Sequence, residues 1–97
     1  IIHINKKSLL NMKGTATGIT TIEEGLILNS PELRILNVFY NWNNYTVRIE
    51  CLFNEEGAIF KHSRTFEFST EGSGEMTSND IIDLIKGHDD LKVFVWA

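Results

Sequence analysis

Apolar and polar positions alternate most regularly between Leu33 and Asn54, LRILNVFYNWNNYTVRIECLFN. Strand side chains change face at every residue. A reversal at Asn43-Asn44 therefore sets Trp42 against Tyr45, Tyr40 against Val47, Val38 against Ile49 and Leu36 against Cys51. All four pairs are apolar or nearly so and share one side of the ribbon. A slip of one residue would set this stripe against Thr46, Arg48 and Glu50. Asn tolerates the positive φ of a type I′ turn, so loop chemistry and pairing agree on a hairpin with a two-residue loop.

A second turn follows. Asn54-Glu55-Glu56-Gly57 has the composition of a type I turn closed by a glycine bulge, and Ala58 to Ser69 is expected to return as a long strand. With the bulge, Asn54 faces Ala58, Leu52 meets Phe60, Glu50 meets His62, Arg48 meets Arg64 and Thr46 meets Phe66. A two-residue loop would instead bring Phe60, His62, Arg64 and Phe66 onto the stripe face. Glu-Glu is poor at the φ values such a loop needs, so the bulge is preferred. That choice sets Arg48 beside Arg64, which requires a carboxylate or Phe39 between them.

The flanking sequence extends the β pattern. IIHINKKSLL reads as a first, edge strand guarded by Lys6 and Lys7. Thr15 to Ile22 is a β-branched run in which Gly14 and Gly18 weaken pairing or mark a bulge. Glu23-Glu24-Gly25 is a turn leading to a short strand at Leu26 to Leu28, and Pro31 suits the second position of a type I turn. Thr70 to Glu75 reads as a flexible acidic loop. Thr77 then reads as an N-cap with Asp80 completing an approximate capping box, ahead of a helix with Ile81, Ile82, Leu84 and Ile85 on one side and Gly87 at its end. LKVFVW closes the chain as a strand. The expected fold is mainly β (α+β): an antiparallel β-sandwich or small barrel of about seven strands, with one short helix (about 78–86) before the last strand, in a single domain over 1–97.

Composition narrows the partners more than the chemistry. At 97 residues with 42% hydrophobic side chains, a core is feasible but small enough for subunit contacts to matter. The net charge of −4, with Lys and Arg scattered, argues against nucleic acid. No apolar run reaches membrane length and no signal peptide is visible, so location is left open between a virion and the cytoplasm. The lone Cys51, on the apolar stripe, is expected to be a core residue, with neither a disulfide nor a cysteine-rich zinc site. His3, His62, His88, Asp89 and Asp90 lack short ligand spacings, so no metal and no cofactor are expected. His88-Asp89-Asp90 reads instead as a helix-end and turn segment.

Two constellations carry candidate chemistry. The preferred register aligns Asn37, Glu50 and His62 in a polar row, where a carboxylate beside an imidazole could do acid–base work. The plainer reading is a polar pair on a solvated sheet face. The tip Tyr40-Asn41-Trp42-Asn43-Asn44-Tyr45 combines aromatic faces with amides, as a protein- or sugar-binding hairpin would, or as a Trp–Tyr pair that locks the turn. Candidate binding residues are thus Trp42, Asn43, Asn44, Tyr45, Phe39, Phe60 and Phe66, the phenylalanines because the side opposite the stripe needs covering by the helix, a second sheet or a partner.

The function expected is that of a non-catalytic structural or assembly module acting through protein–protein contacts. It would associate with copies of itself, for example as a small subunit of a virion or surface assembly. The alternatives are a carbohydrate-binding module using the 40–45 tip, a small acidic inhibitor or immunity-type protein, and a small enzyme using Glu50 and His62.

Overall fold

The alternation in the central stretch becomes strand almost throughout. The computed structural model describes residues 2–3, 12–23, 25–55, 57–70 and 76–96. Its strands are β1 (Ile2–His3), β2 (Gly14–Thr15), β3 (Ile19–Glu23), β4 (Leu26–Asn29), β5 (Pro31–Asn41), β6 (Thr46–Glu55), β7 (Lys61–Ser69) and β8 (Val95–Trp96). Helix α1 (Ser78–Lys86) lies between β7 and β8. The main antiparallel sheet runs β7-β6-β5-β2-β8, with β1 also on β5, and β3 and β4 form a second, two-stranded sheet. Among the described residues the fold is therefore mostly β, with two antiparallel sheets and one short helix, as the pattern predicts. Lys6, Lys7 and the 71–75 part of the acidic loop lie outside the described residues.

The β5–β6 ladder keeps Tyr40 against Val47 and Val38 against Ile49. It departs from expectation at Leu36, where a β-bulge shifts the register and Ile35, not Leu36, faces Cys51. The reason is in the apolar phase of β5. Buried positions are Pro31, Leu33 and Ile35 before the bulge, then Val38 and Tyr40 after it. Along β6, Val47, Ile49, Cys51 and Phe53 hold one phase. One extra residue in β5 lets both strands bury their apolar side.

Across the second turn the expected register is overturned. Asn54 pairs with Lys61, Phe53 with His62, Cys51 with Arg64, Ile49 with Phe66 and Val47 with Phe68. Ala58 to Phe60 belong to the loop and not to the strand; Ala58 N–H donates to Glu55 O at 3.0 Å across Gly57, whose φ is 80°. This longer loop turns Phe66 and Phe68 inward. Burying a phenyl ring is worth about 1.5–3 kcal/mol, and the same shift replaces the Arg48–Arg64 juxtaposition with Arg48 opposite Glu67.

β2–β3 and β4–β5 form one long ladder bent at a corner. Ala16 N–H donates to Pro31 O at 3.1 Å before the bend, and Ser30 N–H to Gly18 O at 2.8 Å within it. Gly18 (φ 80°) and Ser30 (φ 47°) supply the left-handed backbone, so the β3–β4 hairpin leaves the main sheet there. Pro31 accordingly opens β5 as a buried strand residue and does not occupy a type I turn; a first strand position needs no ladder donor from it.

The helix forms as its caps dictate. Thr77 Oγ1 accepts from Asp80 N–H at 3.1 Å, and Asp80 Oδ2 accepts from Thr77 N–H at 2.9 Å. Gly87 ends the helix in ordinary right-handed geometry (φ −79°), without the left-handed C′ conformation expected of it. Ile81, Ile82 and Ile85 enter a core shared with Ile22, Leu26 and Leu28 of the hairpin and with the inner faces of β5 and β6. Leu91 and Phe94, after the helix, complete it.

Candidate interaction surface

At the tip of the β5–β6 hairpin the last ladder pair is Asn41 with Thr46, so Trp42 to Tyr45 form a four-residue loop and not the expected two-residue turn. Tyr45 takes the positive φ (53°) assigned from sequence to Asn43 and Asn44. Trp42 consequently does not pair with Tyr45 across the ladder. It follows Tyr40 on the inner side and stacks on it, ring centroids 4.7 Å apart and planes 27° off parallel. The amides serve the turn itself: Asn41 Oδ1 accepts from Asn43 N–H at 3.1 Å and Asn44 Oδ1 from Thr46 Oγ1–H at 2.7 Å. Tyr45 is half exposed, and its carbonyl accepts from Thr70 N–H at 2.8 Å.

The row Asn37, Glu50, His62 is broken by the new register. Glu50 lies opposite Asn37 and Thr65, on the outer side of the sheet. His62 lies opposite Phe53, on the inner side. The acid–base pair therefore does not form. Glu50 instead accepts hydrogen bonds from Asn37 Nδ2 and from Ser63 Oγ, the latter at 3.4 Å. Phe39, opposite Arg48, is half buried on that outer face, whereas Phe66 is buried in the core against Phe53 and His88. His88 packs edge-on against Phe66 and Phe68, and its Nδ1 accepts from Asp90 N–H at 3.1 Å. Of the seven candidate binding residues, Phe60 stands out as the most exposed large apolar ring, at 79%.

Other ionic contacts are modest. Arg64, on the inner side of β7, reaches Glu23 of β3 at 3.0 Å and ties the two sheets together. Lys13 holds Glu32 at 2.9 Å, and this contact keeps the Glu32 carboxyl below its ordinary range. A depressed carboxyl stabilises the fold above its unfolded pKa and ceases to as the pH falls through its folded pKa, so the pair acts at neutral pH and is lost in acid. Among the described residues no cluster of three or more His, Cys, Asp or Glu is placed to hold a metal, and no helix is long and apolar enough to cross a membrane.

Cys51 is fully buried on β6, and burial, with Glu50 beside it, pushes its thiol up to about 12. At pH 8 roughly one such thiol in ten thousand is ionised. Maleimide or disulfide-exchange labelling of the native chain is therefore expected to be negligible over a period in which the urea-unfolded chain reacts completely. Prompt labelling without denaturant would place Cys51 at the surface and contradict the β5–β6 register.

The remaining surface feature is assembled at the Pro31 end of the sheet. β2 and β8 lie side by side, Thr15 opposite Val95. Beyond the corner at Gly18 the chain turns away into β3, whereas the chain entering β8 comes from the His88 turn. The two segments diverge and open a groove of about 340 Å³. Ala16 and Thr20 lie buried at its base, while Ile19 (74% exposed), Val93 (52%) and Val95 (71%) stand on its walls. Asp89 and Asp90 add two carboxylates to the lining. Asp89 has only an exposed contact with Lys92 at 3.7 Å, and Asp90 makes no ion pair among the described residues.

At the same end, the β6–β7 loop projects Ile59 and Phe60, 90% and 79% exposed, immediately before Lys61. Ile19, Ile59, Val93 and Val95 were not singled out from sequence. Ile19 sits in a β-branched alternation, and Val93 and Val95 in a run that reads as a closing core strand; no local pattern says which side stays uncovered. The sequence matches no family model, and comparison with curated proteins and with solved structures returns no match, so the functional reading rests on this geometry.

Proposed function

We propose that the chain is a non-catalytic structural module that works through protein–protein contact and associates with copies of itself as a subunit of a larger assembly. The observation that supports this reading is where the uncovered apolar side chains stand. Among the described residues the exposed large hydrophobics are Ile19, Ile27, Ile59, Phe60, Val93, Val95 and Tyr45, and all but Tyr45 lie at the Pro31 end or on the hairpin leaving it. Singly exposed apolar residues are ordinary; a concentration of them rimmed by polar groups marks an interaction site. Thr15, Thr17 and Thr21 provide such a rim.

The aromatic tip supports the carbohydrate alternative less well, because Trp42 is stacked on Tyr40 and the Asn41 and Asn44 oxygens are engaged within the loop. Sedimentation velocity or native mass spectrometry from low to high micromolar concentration tests the proposal. A concentration-dependent assembly is expected. A strict monomer across that range, at moderate salt, overturns self-association as the function.

A further inference from the structure

We infer that the Ile59–Phe60 loop of one copy seats in the Ile19–Val93–Val95 groove of a second copy, reciprocally, in a two-fold dimer. The inference rests on the self-association proposed above and assigns its contacts. Three observations carry it. The groove is apolar on its walls and acidic in its lining, with Asp90 unpaired among the described residues. The loop presents two almost fully exposed apolar side chains followed directly by Lys61, which is exposed and makes no ion pair among the described residues. Knob and groove thus match in both hydrophobicity and charge, and the apolar side chains of both stand exposed in the single chain.

The third observation is positional. Lys61 pairs with Asn54, Asn54 with Glu32, Glu32 with Thr15 and Thr15 with Val95. Those five residues form one row across the main sheet from edge to edge. Strand spacing places its ends roughly 19 Å apart. The knob, just ahead of Lys61, and the groove, bounded by Thr15 and Val95, are therefore at opposite edges of the same end. A two-fold axis normal to the sheet at that end exchanges the edges. It carries each copy's knob onto the other's groove, so both contacts form at once and the assembly closes.

Two surface substitutions separate this pairing from any other mode of association. Phe60→Ser removes the knob and leaves the groove; Val95→Glu blocks the groove and leaves the knob. Both positions are exposed, so each variant should keep the wild-type circular dichroism and, at concentrations where the wild type is monomeric, its melting temperature. Each alone forms a dimer lacking both knob–groove contacts, and its dissociation constant should rise on the order of 100-fold or more. Mixed in equal amounts, the two can form a heterodimer with one intact contact, which native mass spectrometry resolves by mass. Heterodimer formation at concentrations where each variant is monomeric supports the pairing. A mixture that stays monomeric, or a single variant that associates like wild type, overturns the pairing and leaves self-association standing. A wild-type chain that never associates overturns the proposed function itself.

Discussion

Phe53→Ala is expected to cost about 3–5 kcal/mol, as truncation of a fully buried phenyl leaves a cavity that its neighbours only partly fill. Phe53 has no exposed surface and lies on β6, which has a partner strand on each side. Its ring meets Phe66 of β7 edge-on at 6.2 Å and Phe94 of the segment after the helix at 5.9 Å. One side chain thus joins the main sheet to the chain that closes over it. A domain of this size has about 5–15 kcal/mol to lose, so the variant should unfold at much lower urea than the wild type. Ile59→Ala is the matched control, because Ile59 is 90% exposed in the monomer and should change stability by less than about 0.5 kcal/mol at dilute concentration. A loss below about 1 kcal/mol for Phe53→Ala would mean that its ring is not in the core.

Phe66→Asn and Thr65→Asn should have very unequal effects, and the pair reads the β6–β7 register directly. Phe66 is buried opposite Ile49, whereas Thr65 is exposed opposite Glu50. Placing an amide at 66 removes the phenyl and buries a polar group, for about 3–5 kcal/mol together. The same amide at 65 faces water and should cost under about 1 kcal/mol. An asparagine carries no charge, so His88, whose ring lies 4.9 Å from that of Phe66, cannot offset the change by forming an ion pair. The register favoured by the turn composition alone places Thr65 inside and Phe66 outside. It demands the opposite order of effects, and equilibrium urea unfolding of the two variants decides between them.

That reversal shows why the second turn was not legible. In β7 the phase containing His62, Arg64, Phe66 and Phe68 is the inner one, but alternation fixes only that these residues share a side. Which side depends on loop length, and Glu55 to Lys61 permits several loops. The choice is made by distant partners: Ile49 and Val47 across the ladder, and His88 and Phe53 packed around the rings. The candidate pair Glu50–His62 depended on the wrong loop and disappears with it. Phe60, flagged as a ring needing cover, remains a candidate for the complementary reason, since the longer loop leaves it outside.

The sequence by itself determined the features whose causes are local. The pairs Tyr40–Val47 and Val38–Ile49 follow from period-two alternation about a short reversal, and α1 follows from Thr77 and Asp80 capping one another three residues apart ahead of an apolar face. The tertiary structure alone decided where the ladder bends at Gly18 and Ser30, which phase of β7 turns inward, and which apolar side chains remain in water. The groove joins Ile19 to Val93 and Val95, residues from opposite ends of the chain that meet only because β2 pairs with β8 and then leaves the sheet. Exposure is a property of what else packs nearby, and that is settled by the total apolar area buried across both sheets and the helix, a sum no single stretch of sequence contains.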